Sequence, residues 1–287
     1  MLFDVVHTTA YRYVGTAMEA YLEVRLTPPV RPEQEILRHQ IEFHPAAVVS
    51  DYIDYFENRT TFYSMTLRHA QLKVTNSLTV RTSPTILPAG GLALTVAEAR
   101  QILNSAGTRV FDYLQPTPAV PTGGPSAPWA KDIIREDRAL GDVLDTLNQA
   151  IHRDFKYRTG STDIETPLAG IWKKREGVCQ DFAHVMLSVL RTAGLPCRYV
   201  CGYIESASPD KNLVGALATH AWVEVLVPGM EWVALDPTNK QWCGEQHVTI
   251  AVGRDFFDAT PVRGTFKGSA SQIMKVRVTM TRVPEKA

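Results

Sequence analysis

The sequence has no apolar run long enough to cross a bilayer, and its start, MLFDVVHTTAYRY, has no basic stretch leading into a long apolar one. Neither a membrane span nor a secretion leader is expected, and the chain reads as soluble and cytoplasmic. It also lacks charge of one sign: Lys plus Arg and Asp plus Glu number 30 each, for a net charge of +0. No basic stripe interleaved with aromatics is present, so nucleic acid is not an expected partner. Cysteine is scarce, with four in 287 residues, all within one third of the chain. That is unlike the dense framework of a small secreted domain, and free thiols are expected. The GxSxG elbow, the GxxxxGK[ST] loop and the GxGxxG turn are all missing, which removes the usual support for a serine hydrolase or a nucleotide enzyme. Metal spacing is missing too. Cys197 and Cys201 stand four apart without a second matching pair, and HAWVE and PCRYVC miss the HxE and PCxxC steps of a zinc deaminase. Neither a metal nor any other cofactor is expected; Cys197, Cys201 and Cys243 read as core residues.

What is present is ordinary globular material, 45% hydrophobic and 21% charged, in a length that suits two domains better than one. Residues 1–85 run in short alternating or β-branched segments such as FDVVHTTAYRYV, RHQIEFHPAAVV and QLKVTNSLTVRT, which predict an antiparallel β-sandwich with one wet face per sheet. Residues 86–130 are rich in Pro and Gly and read as a connector that wraps rather than packs, with one short helix around Thr95 to Leu103. From residue 131 to 287 helical spacing comes first, with Leu140, Val143, Leu144, Leu147 and Ile151 on one stripe, and strands follow, ending in IMKVRVTMTRV. Helices then strands indicate an α+β domain. DFAHVMLSVLRTAG is apolar on more than one side and belongs in the interior, with Gly194 and Pro196 ending its helix.

The chemistry turns on Cys179 in REGVCQDFAHVML. Gly177 and the helical pattern from Gln180 put its sulfur at a helix start, where unpaired amides and the helix dipole favour thiolate. The alternative is a buried, inert thiol. A nucleophile needs a base and a group that orients the base. His184, five positions on, is turned about 140° away around the helix. His220 opens the strand HAWVEVLV, and Asp236 lies near the end of EWVALDP. A hairpin through the PGM turn sets them about eight residues to either side of Pro228, as cross-strand neighbours. Cys179, His220 and Asp236 then have the roles of nucleophile, base and orienter. Each also has a plain structural reading: His220 bonded to a backbone carbonyl, Asp236 in an Asx turn with Pro237.

Taken together, GVCQDFAHVMLSVLRTAGLPCRYVCGY, THAWVEV and EWVALDPTN resemble the core of the bacterial transglutaminase-like superfamily, in the order Cys, His, Asp. HTTAYRY and the RLTP segment resemble the β domain that precedes this core in many bacterial members, and HVTIAVGRDFFDATPVRGTFKG resembles the segment that closes them. The resemblance implies a papain-like transglutaminase core: the helix bearing the cysteine packs on an antiparallel sheet or barrel. In that core the cysteine attacks an amide carbonyl, histidine moves the proton and aspartate holds the histidine. The tetrahedral intermediate needs oxyanion donors. The Cys179 amide is one candidate, and Tyr157 stands where the family often carries a tyrosine. Trp172, Gln180 and Trp222 are further oxyanion or substrate candidates. Trp232 reads as core packing, and Arg254 with Asp255 as an ion pair near the cleft or a staple for the C-terminal segment.

A thioacyl enzyme can be resolved by water, giving a peptidase or amidase, or by an amine, giving a cross-linking transglutaminase. Many bacterial relatives are provisionally described as cysteine proteases, and hydrolysis of a peptide or protein amide is the favoured expectation. The rival class is a non-catalytic binding or scaffold module. The β domain offers a docking surface for a protein partner or a second copy under either reading.

Overall fold

The computed structural model describes residues 1–205, 218–268 and 271–284. Six strands come first: β1 (Leu2–Ala17), β2 (Glu19–Thr27), β3 (Gln34–His44), β4 (Val48–Ile53), β5 (Arg59–Met65) and β6 (His69–Thr82). Helices α1 (Ala89–Ala93), α2 (Val96–Asn104), α3 (Thr108–Leu114), α4 (Ser126–Ala130) and α5 (Leu140–Asp154) follow. Next come β7 (Lys156–Tyr157), α6 (Leu168–Lys174), β8 (Glu176–Gly177) and α7 (Cys179–Thr192). The chain continues through β9 (Cys197–Ile204), β10 (His220–Val227), β11 (Glu231–Asp236), β12 (Gln241–Trp242) and β13 (His247–Gly253). It ends with β14 (Val262–Lys267) and β15 (Gln272–Arg282).

Alternation along β1 turns Phe3, Val5, Tyr11 and Tyr13 inward and Asp4, Val6 and Arg12 outward, as a period of two requires. The N-terminal strands build two antiparallel four-stranded sheets, ordered β15-β1-β6-β3 and β14-β2-β5-β4. Leu22, Val24 and Leu26 of β2 and Leu72, Val74 and Val80 of β6 are among the side chains buried between them. The outer partners of β1 and β2 are the last two strands, β15 and β14. Here the fold departs from expectation: IMKVRVTMTRV does not join the sheet beside α7 but pairs with β1 from Phe3↔Arg282 to Tyr13↔Gln272. Its own alternation suits either sheet, and only tertiary pairing decides.

The connector also differs from expectation. It holds four short helices rather than one, and it packs: Val96, Ala99, Leu103, Val110 and Val120 are buried. The expected helix is there as α2, started by a capping box in which Thr95 Oγ1 accepts the Glu98 amide at 3.3 Å and Glu98 Oε2 accepts the Thr95 amide at 2.8 Å. The other three span seven residues or fewer, lengths that are not stable alone and depend on burial.

The site rests on a third, five-stranded sheet in the order β12-β11-β10-β9-β13. Helix α7 lies against β9 and β10, and every one of its residues from Asp181 to Arg191 is buried. Val185, Leu187 and Leu190 join one continuous core with Val223, Val225 and Leu235 of the sheet and with the sandwich residues. Burial of that size, at about 25 cal/mol per Å² of apolar surface, is what holds a helix with so few polar positions in place.

Candidate active site

The approach to Cys179 is built from short pieces. Arg175 ends α6 in the left-handed region at φ 55°, and β8 then runs parallel to β7, pairing Gly177 with Tyr157. A Cβ on Gly177 would sit 2.6 Å from Oδ2 and 2.7 Å from Cβ of Asp181, so only glycine lets the strand pass so close to the helix it leads into. Asp181 is the third residue of α7. Its Oδ2 accepts the Val178 amide at 2.8 Å and the Thr162 hydroxyl at 2.7 Å, which ties the preceding loop down. Burial still pushes the Asp181 carboxyl above its ordinary range, against those two bonds.

Val178 occupies the N-cap of α7, and a valine side chain has no oxygen to offer. The first amides of a helix have no intrahelical acceptor, and a Ser, Thr or Asp cap would take one of them. Here the N–H groups of Cys179 and Gln180 stay available. Cys179 is partly exposed, whereas Cys197, Cys201 and Cys243 are buried, and all four are free thiols. Burial holds Cys197 up at about 11 and Cys201 at about 12, so these two stay protonated.

His220 and Asp236 meet on the sheet. β10 and β11 pair through Val223↔Leu235 and Val227↔Glu231 around the Pro228–Met230 turn. Continued outward, that register sets Trp222 opposite Asp236 and His220 two positions further along the same face. The relationship is diagonal rather than directly cross-strand, within reach of long side chains. Nε2 of His220 lies 2.8 Å from Oδ2 of Asp236, and both side chains are fully buried. Nδ1 of His220 is buried without a fully formed hydrogen bond, and the Cys179 sulfur is close enough to act on the ring by charge and by hydrogen bonding. Since Nε2 is taken by Asp236, Nδ1 is the nitrogen left for the sulfur. Burial works against a charged ring, but Asp236 and Cys179 outweigh it and raise the His220 pKa well above the usual imidazole range. Asp236 moves the other way: despite burial, His220 and His247 hold its carboxyl far below the usual range. An imidazolium beside the Asp236 carboxylate is the electrostatic arrangement these two shifts favour.

Asp236 collects more donors than the hairpin alone supplies. Oδ1 accepts the amides of Thr238 at 2.9 Å and Asn239 at 3.2 Å; Oδ2 accepts from Asn239 Nδ2 at 2.7 Å and lies 3.3 Å from His247 Nε2. Asn239 belonged to the DPTN motif without a role assigned, and an acidic residue three places after a helix cap could have singled out Asp181. Nothing local could have found His247.

The other candidates fall in different places. Tyr157 is half-buried with its ring edge-on to Phe182, and burial with Cys179, Asp181 and Asp236 nearby raises its hydroxyl to about 12; it stands at the site as a protonated donor. Gln180, the second residue of α7, is half-buried beside Cys179. Trp222 is buried against the His220 and His247 rings; it walls the His–Asp pair instead of lining an open approach, and only a glycine at 202 leaves room for its ring. Trp172 packs with Trp129 and Phe155 around the Arg175 guanidinium, which lies 4.8 Å from its centroid, and this box occupies the ring expected near the sulfur. Trp232 stacks under Arg198 at 4.0 Å, toward the hairpin turn. Arg254 does not pair with Asp255: its Nε meets Asp258 at 2.9 Å, while Asp255 Oδ1 accepts the Phe257 amide. Adjacent side chains diverge, and the turn brings the fourth residue back. The loop ESASPDKNLVGALAT falls mostly outside the described residues.

A cysteine-led helix packed on an antiparallel sheet that carries a His–Asp pair, preceded by a β region, is a papain-like α+β fold of the transglutaminase type. Residues 127–237 match the family model of the transglutaminase-like superfamily, and residues 3–81 match that of the bacterial transglutaminase-like N-terminal region. The chain belongs to the transglutaminase-like superfamily. It is similar to an uncharacterized protein of Mycobacterium tuberculosis, at 33% identity over 96% of this chain and 91% of that one. It is also similar to one of Mycobacterium leprae, at 31% over 97% and 98%. A crystal structure from Cytophaga hutchinsonii, provisionally titled a cysteine protease, shares the fold at a TM-score of 0.77 and 20% identity, covering 100% of this chain and 92% of that one. A shorter match, 34% identical over 40% of this chain and 18% of the other, is to a protein-glutamine gamma-glutamyltransferase of Pseudomonas aeruginosa.

Proposed function

We propose that this protein is a cysteine hydrolase that cleaves an amide or peptide bond through a thioacyl intermediate on Cys179. The observation that carries the reading is the buried 2.8 Å contact of His220 with Asp236, set beside a partly exposed cysteine at a helix start whose cap leaves its amides free. Cys179 Sγ attacks the carbonyl carbon; the developing oxyanion takes the Cys179 amide and the Tyr157 hydroxyl as donors. His220 passes its Nδ1 proton to the leaving amine and then takes one from the water that resolves the thioester. Asp236 keeps the other ring proton on Nε2 throughout. Metal and cofactor play no part in this scheme. We take the working compartment to be the cytoplasm, with four free thiols as support.

Acyl transfer to an amine is the second reading, favoured by the likeness of part of the chain to the Pseudomonas gamma-glutamyltransferase. Both share the first half-reaction. Incubating the protein with a mixed peptide and isopeptide library, with and without a primary amine, separates them by mass. Free acids mean hydrolysis, and amine-adducted products mean transfer. No change in any library member, with Cys179 alkylated no faster than Cys243, would leave a binding module.

A further inference from the structure

His247 opens β13, which lies at the opposite edge of the five-stranded sheet from β11 and β12 in pairing order. Its Nε2 nevertheless lies 3.3 Å from Oδ2 of Asp236, and only residues 243–246 separate β12 from β13. The closing loop contributes as well: the Cys243 amide donates to Ala234 O at 2.9 Å and the His247 amide to Gly244 O at 2.9 Å. The imidazole is buried and stands edge-on to Trp222, centroids 5.2 Å apart. Trp222 in turn faces His220, so both imidazoles share one indole and one carboxylate oxygen.

The tautomer follows from the other side of the ring. Nδ1 of His247 accepts the Gly244 amide at 3.4 Å, which assigns the proton to Nε2 and makes His247 a donor to Asp236. A carboxylate that serves one imidazole alone gives it the whole of its negative charge. Here Oδ2 already accepts from Asn239 Nδ2 at 2.7 Å, and the His247 N–H is a further donor that draws charge away from the bond to His220.

We propose that His247 is a positioning residue for the reaction, donating to Asp236 so that the carboxylate orients His220 without holding its proton too tightly. The inference rests on Cys179, His220 and Asp236 being the reacting set. Among the described residues, Cys179 on α7 and Asp236 on β11 act on His220 by charge and hydrogen bonding, and the His247 ring stands 6.5 Å from it, centroid to centroid. Further along β10, Glu224 is committed to Arg31 and Arg198. Asn239 Nδ2 and His247 Nε2 both touch the oxygen that His220 uses, at 2.7 and 3.3 Å, and His247 is the one that comes from outside the Asp236 turn.

The test is the rate of Cys179 alkylation by iodoacetamide across pH, followed by mass spectrometry of the site. It is run on the wild type, on His247→Phe, which keeps a ring against Trp222 but removes the donor, and on His247→Gln, which keeps an N–H. Loss of the donor returns charge to Asp236 and stabilises the imidazolium. The alkaline limb of the His247→Phe profile is therefore expected to move upward by about half to one pH unit, and His247→Gln to restore it. A residue that merely fills space would move melting temperature and leave the limb alone. A folded His247→Phe variant with the wild-type limb overturns the inference. Nitrogen–proton correlation spectra of the imidazoles decide the case even if that variant does not fold. A proton on Nε2 of His247 that shifts with Asp236→Asn is expected, and a proton on Nδ1 overturns it. Should wild-type Cys179 react no faster than Cys243 at any pH, it is the triad reading that fails first.

Discussion

Arg31, in the loop after β2, grips Glu224 of β10 with both guanidinium nitrogens, Nη1 to Oε1 at 2.6 Å and Nη2 to Oε2 at 3.0 Å. Arg198 of the neighbouring strand adds a third bond at 2.6 Å. The sandwich and the sheet bearing His220 are thus joined by a buried carboxylate four residues along the same strand from that histidine.

Removing Glu224 takes a buried counter-charge from Arg198 and leaves Arg31 with Glu33 alone, at 3.0 Å. Glu224→Ala is expected to destabilise the protein by about 3–5 kcal/mol, read as a fall in denaturation midpoint. The same pair gives an acid dependence. Although burial raises it, the Glu224 carboxyl is held at about 2 by Arg198 and Arg31, below its ordinary 4.5. In the folded state it binds fewer protons than in the unfolded one, so its stabilisation is complete above pH 4.5 and is lost as pH falls from there toward 2. Urea midpoints measured down that range should fall less steeply in Glu224→Gln than in the wild type.

Cys179→Ala is expected to abolish amide cleavage while changing stability by less than about 1 kcal/mol, because the side chain is only partly buried and the change is small. Turnover assays and thermal melts on the same preparation check both halves. A large loss of stability would mark the thiol as structural.

Asp236→Asn keeps the shape and removes the charge. Its amide would face the nitrogen of His220 as donor against donor, which drives the ring proton to Nδ1 and leaves no lone pair for the sulfur. A fall in turnover of roughly 10³- to 10⁴-fold is expected. An asparagine variant with full turnover would remove Asp236 from the reacting set.

Gly177→Ala probes the entry to α7. The added methyl meets Asp181 at 2.6–2.7 Å, so either Asp181 gives up its bonds to Val178 and Thr162 or β8 shifts. A loss of about 1–3 kcal/mol is expected, as for overpacking elsewhere, with slower alkylation of Cys179. Unchanged melting and alkylation would show that the strand has room to move.

The candidate residues were legible because each lies in a local pattern: a glycine before an apolar helix for Cys179, alternating strands around a Pro-Gly turn for His220 and Asp236. Counting from the turn brought the last two together, though the register makes them diagonal partners. Long-range relationships were not legible. His247 reaches Asp236 from the opposite edge of the sheet in pairing order, and β15 meets β1 across almost the whole chain; neither shows as a local pattern. The connector hid its helices because Pro and Gly dominate its composition while Val96, Ala99 and Leu103 are stabilised by what covers them. Arg254 meets Asp258 and not the adjacent Asp255 for a related reason, since a turn decides which carboxylate returns to it.

The placement of β14 and β15 also has a consequence for the order of synthesis. A ribosome making this chain delivers β1 and β2 well before their outer partners. Until then both sheets present open hydrogen-bonding edges, templates for pairing with any other strand at hand. The helix with Cys179 and the sheet with His220 emerge during that interval. The nascent protein is therefore most vulnerable to mispairing after Cys179 and His220 have been made and before the two strands that pair with β1 and β2 have arrived.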